Sequence, residues 1–347
     1  MRARLADVAK MAGVAPNTAS MILNKRPECW ASKATKQRVF DAASQLDYRP
    51  SRAALGIRLG RFKAIGLILP DLYNPFYAHF ADMFDRALRE HDYLLVLENG
   101  RADIAYMKEC QETILDRHID AVCYFMADVK AHEAYLKRAA HMGKSVLAMA
   151  GPTDKPFKFD AVVTDFNKAI NEATSHLVAL GHKRFAFISS VPKGLDPGSR
   201  PALFSAGLIE KGIDPNAIDL VQCGYELSEV RESFRSYLEK KGPNRPTAAL
   251  CLDDLTAIGA IKAIADLGLS VPKDFSIIGV NDIPIGDFLP QSLSTIAQPV
   301  AEMTAAAAEL LVRRLSKEGK EAQPETRYFA SRYIAKQTTA QQPKTIN

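Results

Sequence analysis

Two periodicities divide the chain. Over the first sixty residues apolar side chains recur every three to four positions, whereas from Lys63 onward short, wholly apolar runs alternate with helical patterns. Leu5, Val8, Ala9 and Ala12 fall at i, i+3, i+4 and i+7, which predicts a helix with one buried face, and Gly13 predicts its end. Pro16 suits the first turn of a second helix, where its missing N–H is not needed, and that helix would bury Ala19, Ile22 and Leu23. Its opposite face carries Asn17, Thr18, Ser20 and Met21, short or flexible groups able to reach base edges and phosphates in a major groove. Ser32 is a fitting N-cap for a third helix, with Val39, Phe40, Ala43 and Leu46 as its buried stripe. Residues 1–48 thus read as a helix-turn-helix headpiece.

Tyr48-Arg49-Pro50 breaks the pattern, and residues 49–62 form a basic, weakly helical linker. Gly56 and Gly60 each cost roughly 1 kcal/mol of helix stability. Two behaviours fit: a segment that becomes helical only on DNA, or a plain flexible tether. Beyond it, apolar runs at 64–69, 93–97, 121–125, 146–149, 161–163, 185–188, 248–252 and 276–280 are too short for buried helices and apolar on both faces. That texture suits strands of parallel sheets covered by helices. With amphipathic segments such as 80–88 and 257–264 between them, residues 63–335 read as an α/β domain pair, followed by a tail at 336–347. The tail has no leucine heptads, which disfavours a coiled-coil tetramer.

Charge sharpens the division. Residues 1–61 hold twelve Lys or Arg against four acids, a net +8, while the whole chain is +5 and the remainder therefore −3. A solvated basic helix surface would look similar by charge alone; joined to the two-helix pattern, the concentration points to phosphate neutralisation. The start of the chain enters an amphipathic helix without the apolar core of a signal peptide, and no run approaches the ~20 apolar residues of a membrane span. A cytoplasmic protein with no membrane role is expected. Cys29, Cys110, Cys123, Cys223 and Cys251 are scattered and never spaced C-x-x-C, so buried small hydrophobes are expected in place of zinc or disulfide frameworks. No G-x-G-x-x-G, H-E-x-x-H or G-x-S-x-G occurs, and the P-loop spacing from Gly207 to Gly212 is followed by Ile213 where lysine is required. The histidines form no cluster; His176 and His182 read as a helix face and a turn. Neither enzyme nor cofactor is expected.

Polar residues collect where the apolar runs end: Asp71, Asn99, Asp165, Asp253-Asp254 and Asn281-Asp282. Open parallel sheets bind ligands outside the carboxyl ends of their strands. Helix capping competes with that role and is favoured for Asp71 and Asn99, the ligand cleft for the Asp253 and Asn281 pairs.

Taken together, Asp7-Val8-Ala9, Ala12-Gly13-Val14, Thr18-Ala19-Ser20, Tyr48-Arg49-Pro50, Asn74-Pro75-Phe76-Tyr77, Leu180-Gly181-His182, Asp253-Asp254-Leu255, Gly279-Val280-Asn281-Asp282 and Gln298-Pro299 resemble, in this order, the lactose-repressor (LacI/GalR) family of bacterial transcription regulators. The resemblance covers nearly the whole chain. It implies a two-lobed effector domain of the type I periplasmic-binding-protein kind, and a homodimer on a near-palindromic double-stranded operator. Paired hinge helices would enter the minor groove. Pro16, Asn17, Ser20 and Met21 would then face bases and Thr18 a phosphate, with Asn24 nearby; in the hinge, Ala54 and Ile57 would meet DNA, Ile57 matching a leucine that wedges between base pairs. Ala15 departs from the family's usual capping serine. Met21 replaces a common arginine or histidine and would touch a thymine methyl. In the cleft, Arg200 aligns with a ligand-binding arginine. Phe76, Tyr77, Phe166 and Tyr225 are candidate aromatic walls, Asp165 is a further effector-binding candidate, and Asp253 and Asn281 occupy positions that are typically Asn and Asp. A sugar or sugar derivative is the favoured effector, a nucleobase or small acid the alternative; inducer and co-repressor wiring would use the same residues. The rival class, a periplasmic-type solute-binding protein without a DNA role, would need an export signal and no headpiece.

Overall fold

The computed structural model describes residues 3–24, 26, 29–50, 56–57, 60–125, 129–151, 157–190, 198–316, 319 and 322–342. It divides into two units, Met1–Lys63 and Ala64–Asn347.

In the first unit, α1 (Leu5–Ala12), α2 (Pro16–Leu23) and α3 (Lys33–Gln45) enclose a core of Val8, Ala9, Ala12, Ala19, Ile22, Cys29, Val39, Ala42 and Ala43. Gly13 ends α1 in the left-handed region at φ 67°, where a side chain would be strained. The Ser32 hydroxyl accepts from the Thr35 N–H at 3.2 Å and caps α3. One expectation fails here: Phe40 is exposed. The buried stripe of α3 is Val39, Ala42, Ala43 and Leu46, an unbroken i, i+3, i+4, i+7 set, and Phe40 stands one residue, about 100° around the helix, off that line.

The second unit holds two six-stranded sheets. The first lobe comprises β1 (Ala64–Leu69), α4 (Pro75–Arg89), β2 (Leu94–Asn99), α5 (Ile104–Asp116), β3 (Ala121–Phe125), α6 (Val129–His141), β4 (Ser145–Ala150) and β5 (Asp160–Asp165). The second comprises α7 (Asn167–Ala179), β6 (Phe185–Ser189), α8 (Arg200–Ile209), β7 (Ile218–Gln222), α9 (Leu227–Lys241), β8 (Ala248–Cys251), α10 (Asp254–Asp266), β9 (Ser276–Val280) and β10 (Ser294–Ala297). The chain then returns to the first lobe for α11 (Val300–Leu315) and β11 (Thr326–Ala330), and crosses once more for β12 (Arg332–Ile334). Strand order is β11-β5-β4-β3-β1-β2 in one lobe and β12-β10-β9-β8-β6-β7 in the other. All pairings are parallel except β12 with β10.

The apolar runs become the central strands, buried on both faces as parallel sheets require. The strands that run length did not reveal, β7, β10, β11 and β12, are short, and those at or near the sheet edges carry polar residues on their wetter side. The three crossings lie side by side. Ser331 donates its N–H and hydroxyl to the Asp165 carbonyl at 2.9 and 3.0 Å, and Thr164 donates its hydroxyl to Gln298 Oε1 at 2.7 Å. Residues 336–342 pack along the second lobe. Thr338 is buried, its hydroxyl donating to the Ile277 carbonyl at 2.7 Å, and the Gln342 N–H donates to the Leu180 carbonyl at 2.9 Å. His182 seals the same seam, pairing with the Thr247 hydroxyl at 2.8 Å and with the Ser276 hydroxyl and Ala340 carbonyl at 3.0 Å.

Candidate functional site

The carboxyl ends of both sheets face one cleft, and polar groups from the two lobes meet across it. Asp71, just past β1, shapes its own turn by accepting from the Tyr73 and Asn74 N–H groups, both at 2.9 Å. Asn74 caps α4 through its Oδ1, which accepts from the Phe76 N–H at 3.1 Å. On the other lobe Asp253 caps α10, its Oδ1 accepting from the Thr256 N–H and hydroxyl at 2.8 and 2.7 Å. Each cap keeps one polar atom for the opposite lobe. Asn74 Nδ2 donates to Asp253 Oδ2 at 2.9 Å, and the Tyr225 hydroxyl donates to Asp71 Oδ2 at 3.0 Å.

Arg200 opens α8 in the same cleft. It donates from Nη1 to the Leu252 carbonyl at 2.7 Å and lies over the Phe166 ring at 5.3 Å. Burial lowers its pKa, while Tyr77 and Asp253 favour the charged form. Burial pushes the Tyr77 hydroxyl up to about 12, against the pull of Arg200 and with help from Asp253 and Asp71. Burial likewise raises the Tyr225 hydroxyl. Both phenols therefore stay neutral and can donate at physiological pH. The Tyr77 ring joins an edge-to-face group with Phe76 at 5.3 Å and Phe125 at 5.4 Å. The cleft thus offers a guanidinium, neutral hydroxyl donors, carboxylate acceptors and aromatic surface.

The structure brings Tyr77, Phe166, Arg200, Tyr225 and Asp253 together. Phe76 is buried within the first lobe's core and supports Tyr77 from behind. Asn281 follows β9 at φ 109°, a conformation asparagine tolerates better than most residues, and its Oδ1 accepts from Gln298 Nε2 at 2.7 Å. Asp165 opens the turn into α7, its Oδ1 accepting from the Asn167 N–H at 2.9 Å and side-chain amide at 2.6 Å. Asp254 sits behind the cleft. It is buried, accepts from the Thr295 hydroxyl at 2.7 Å and the Ile283 N–H at 2.8 Å, and thereby pins the turn that carries Asn281. Asp71 proves to be both a turn former and a cleft residue. Asn74, Phe125 and Gln298 join the site unannounced; Asn74 and Phe125 ended or followed recognised strands, whereas Gln298 carried no signal of its own beyond the Gln298-Pro299 pair.

In the headpiece, Pro16 and Asn17 are exposed and Thr18, Met21 and Asn24 half-buried. Ser20 differs from its neighbours on α2. It is buried, and Asn24 Nδ2 donates to its carbonyl at 2.7 Å. Ala15 holds N-cap geometry at φ −63°, ψ 147° with no side chain to cap. Ile57 is 68% exposed in a helical position, and Ala54 lies outside the described residues. Among the described residues no helix is long and apolar enough to cross a membrane, and no group of three or more His, Cys, Asp or Glu could hold a metal.

A basic helix-turn-helix unit joined to a two-lobed body with a polar interlobe cleft defines an effector-responsive DNA-binding regulator. Residues 4–51 match the model of bacterial regulatory proteins of the lacI family, and residues 174–339 that of a periplasmic binding protein-like domain. The chain thus carries a lacI-family helix-turn-helix domain and a periplasmic-binding-like domain, the make-up of a DNA-binding transcriptional regulator whose grip on DNA an effector controls. Among its relatives is the HTH-type transcriptional repressor PurR of Aliivibrio fischeri, 26% identical over 313 residues that cover 90% of this chain and 92% of that one. The lac repressor dimer bound to operator and the anti-inducer ONPF has a similar fold, with TM-score 0.80 and 21% identity over 98% of this chain and 100% of that one. So does a LacI family regulator from Enterococcus faecium with bound ribose, with TM-score 0.66 and 23% identity over 80% and 99% of the two chains.

Proposed function

We propose that the protein is a homodimeric repressor that binds a near-palindromic operator and releases or tightens its hold when a sugar-sized effector closes the interlobe cleft. The observation that carries this reading is the pair of lobe-bridging contacts, Asn74 with Asp253 and Tyr225 with Asp71, set around Arg200 and Tyr77. Sugar hydroxyls need donors and acceptors at fixed places beside aromatic faces, and this cleft supplies all three. The ribose bound to the Enterococcus faecium regulator agrees with that chemistry. Moving a two-state equilibrium from 1:99 to 99:1 takes about 5.5 kcal/mol of differential affinity, within the range that several such hydrogen bonds supply. The DNA contacts fall to Pro16, Asn17, Thr18, Met21 and Asn24, with Ser20 at the edge of the helix and Ala54 and Ile57 in the hinge. Binding without turnover, in the cytoplasm where the chromosome lies, follows from this role and from relatives that are themselves transcriptional regulators.

The test selects operator DNA from random duplexes and measures its affinity with and without ribose, cellobiose, lactose and guanine. At least one sugar should shift the affinity tenfold or more in wild type. Arg200→Met should abolish the shift while leaving effector-free DNA binding intact. A guanine response with no sugar response would replace the effector class, and no selected duplex at all would remove the DNA role.

A further inference from the structure

Asn281 stands at the carboxyl end of β9, beside the strand that leads to Asp253, on a turn fixed on two sides by Asp254 and by Gln298. Its Oδ1 accepts from Gln298 Nε2 at 2.7 Å, so its Nδ2 is turned the other way, and no protein acceptor meets that nitrogen among the described contacts. Gln298 is oriented in turn. Its Oε1 accepts the Thr164 hydroxyl at 2.7 Å, and that hydroxyl belongs to a side chain sealed from water.

The alternative arrangement turns both amides over. Gln298 would then donate to Thr164, and the Thr164 proton would have to go to Met303 Sδ at 3.6 Å. A thioether is a weak acceptor, whereas a 2.7 Å contact to an amide carbonyl is a full-strength O–H···O bond. A buried hydroxyl left with only a poor acceptor carries a desolvation penalty of about 1–3 kcal/mol. The geometry therefore selects one direction of donation along the chain of three residues, from Thr164 to Gln298 to Asn281.

We propose that Gln298 is a specificity-determining residue: through its bond to Asn281 it presents an amide N–H pair, and not a carbonyl, to the effector, so the effector must place an acceptor oxygen there. The carboxylate of Asp253, on the neighbouring strand end, takes the opposite role and receives an effector hydroxyl in place of Asn74. The two contacts together fix which way round a polyhydroxylated ring enters. This inference rests on the effector reading above for its ligand, but the amide orientation itself can be measured without one.

Neutron diffraction from deuterium-exchanged crystals of the ligand-free full-length protein should show the Asn281 deuterons pointing away from Gln298 and the Gln298 deuterons pointing at Asn281. Deuterons on Asn281 pointing at Gln298 would overturn the proposal whatever the effector proves to be. Calorimetry supplies the functional arm, using whichever of ribose, cellobiose and lactose binds, with its monodeoxy and monodeoxyfluoro forms. Fluorine accepts weakly and cannot donate. At one ring position wild type should tolerate fluorine at least fivefold better than deoxygenation. Gln298→Glu, which accepts from Asn281 and turns its carbonyl to the cleft, should erase that preference, as should Asn281→Asp, with thermal midpoints of both variants showing that they remain folded. An unchanged fluoro-to-deoxy ratio in both folded variants would refute the specificity role. If none of the three sugars binds, the sugar reading fails, and the neutron maps still decide the orientation.

Discussion

Single side chains here do two jobs, and local sequence announces only one of them. Asp71 shapes a turn and Asn74 caps α4, yet both also serve the opposite lobe, Asp71 through the Oδ2 that accepts the Tyr225 hydroxyl and Asn74 through its Nδ2. Asp254 carries this furthest. It lies against Gly279, where a Cβ would fall 2.0 Å from its Oδ1, and burial raises its pKa to about 7, opposed by the Thr295 and Ile283 hydrogen bonds and supported by Asp253 and Asp282. The folded state therefore holds a proton that the unfolded chain releases at the ordinary carboxylate pKa near 3.9. The stability Asp254 contributes is complete below about pH 4 and is lost as pH rises to about 7. Buried His182 has the opposite sign: its depressed pKa removes stability as pH falls below about 6.5. Denaturant titrations of wild type and Asp254→Asn from pH 4 to 8 should isolate the first effect. The variant should gain on wild type as pH rises through this window, and parallel curves would show that Asp254 does not titrate there.

At the scale of elements, capping and burial decide what holds. The recognition helix α2 starts at Ala15, whose backbone is already in N-cap geometry. Ala15→Ser should stabilise the headpiece by about 0.5–2 kcal/mol, seen as a higher melting temperature for its transition; no change would mean the new hydroxyl fails to reach the Asn17 or Thr18 N–H. In the body, Arg314 of α11 grips Asp160 at the start of β5 with two bonds of 2.6 and 2.9 Å, and the Glu325 N–H adds a third at 2.9 Å. Asp160 is fully buried. Removing its partner leaves a carboxylate in the interior, so Arg314→Met should cost roughly 3–5 kcal/mol, and a loss under 1 kcal/mol in urea titrations would show that the pair is dispensable.

For the whole molecule, the charge split matters most. A headpiece region at +8 on a chain of +5 makes DNA affinity electrostatic in large part. The logarithm of the affinity should fall linearly with the logarithm of salt concentration, with a slope of about −0.9 for each phosphate neutralised. Trp30, 98% exposed, is the chain's single tryptophan and so reports on the headpiece alone. Its fluorescence should change on adding operator and not on adding a sugar. A salt slope near zero would contradict phosphate-driven binding.

The sequence by itself determined the three-helix headpiece, the central strands of both sheets and the basic concentration, while Arg200, Tyr77, Tyr225 and Asp253 entered as one candidate site through the family resemblance. These are legible because they rest on short-range periodicity, on unbroken apolar runs or on motif spacing. It did not determine the polar edge strands, the docking of residues 336–342, the burial of Ser20, or the bond by which Asp165 opens α7. Only the tertiary structure decided those, since a hydrogen-bonding side chain takes whichever partner the fold brings within about 3 Å. Thr164, Gln298 and Asn281 are far apart in the chain, and three separate lobe crossings and strand ends must come together before one of them can orient another.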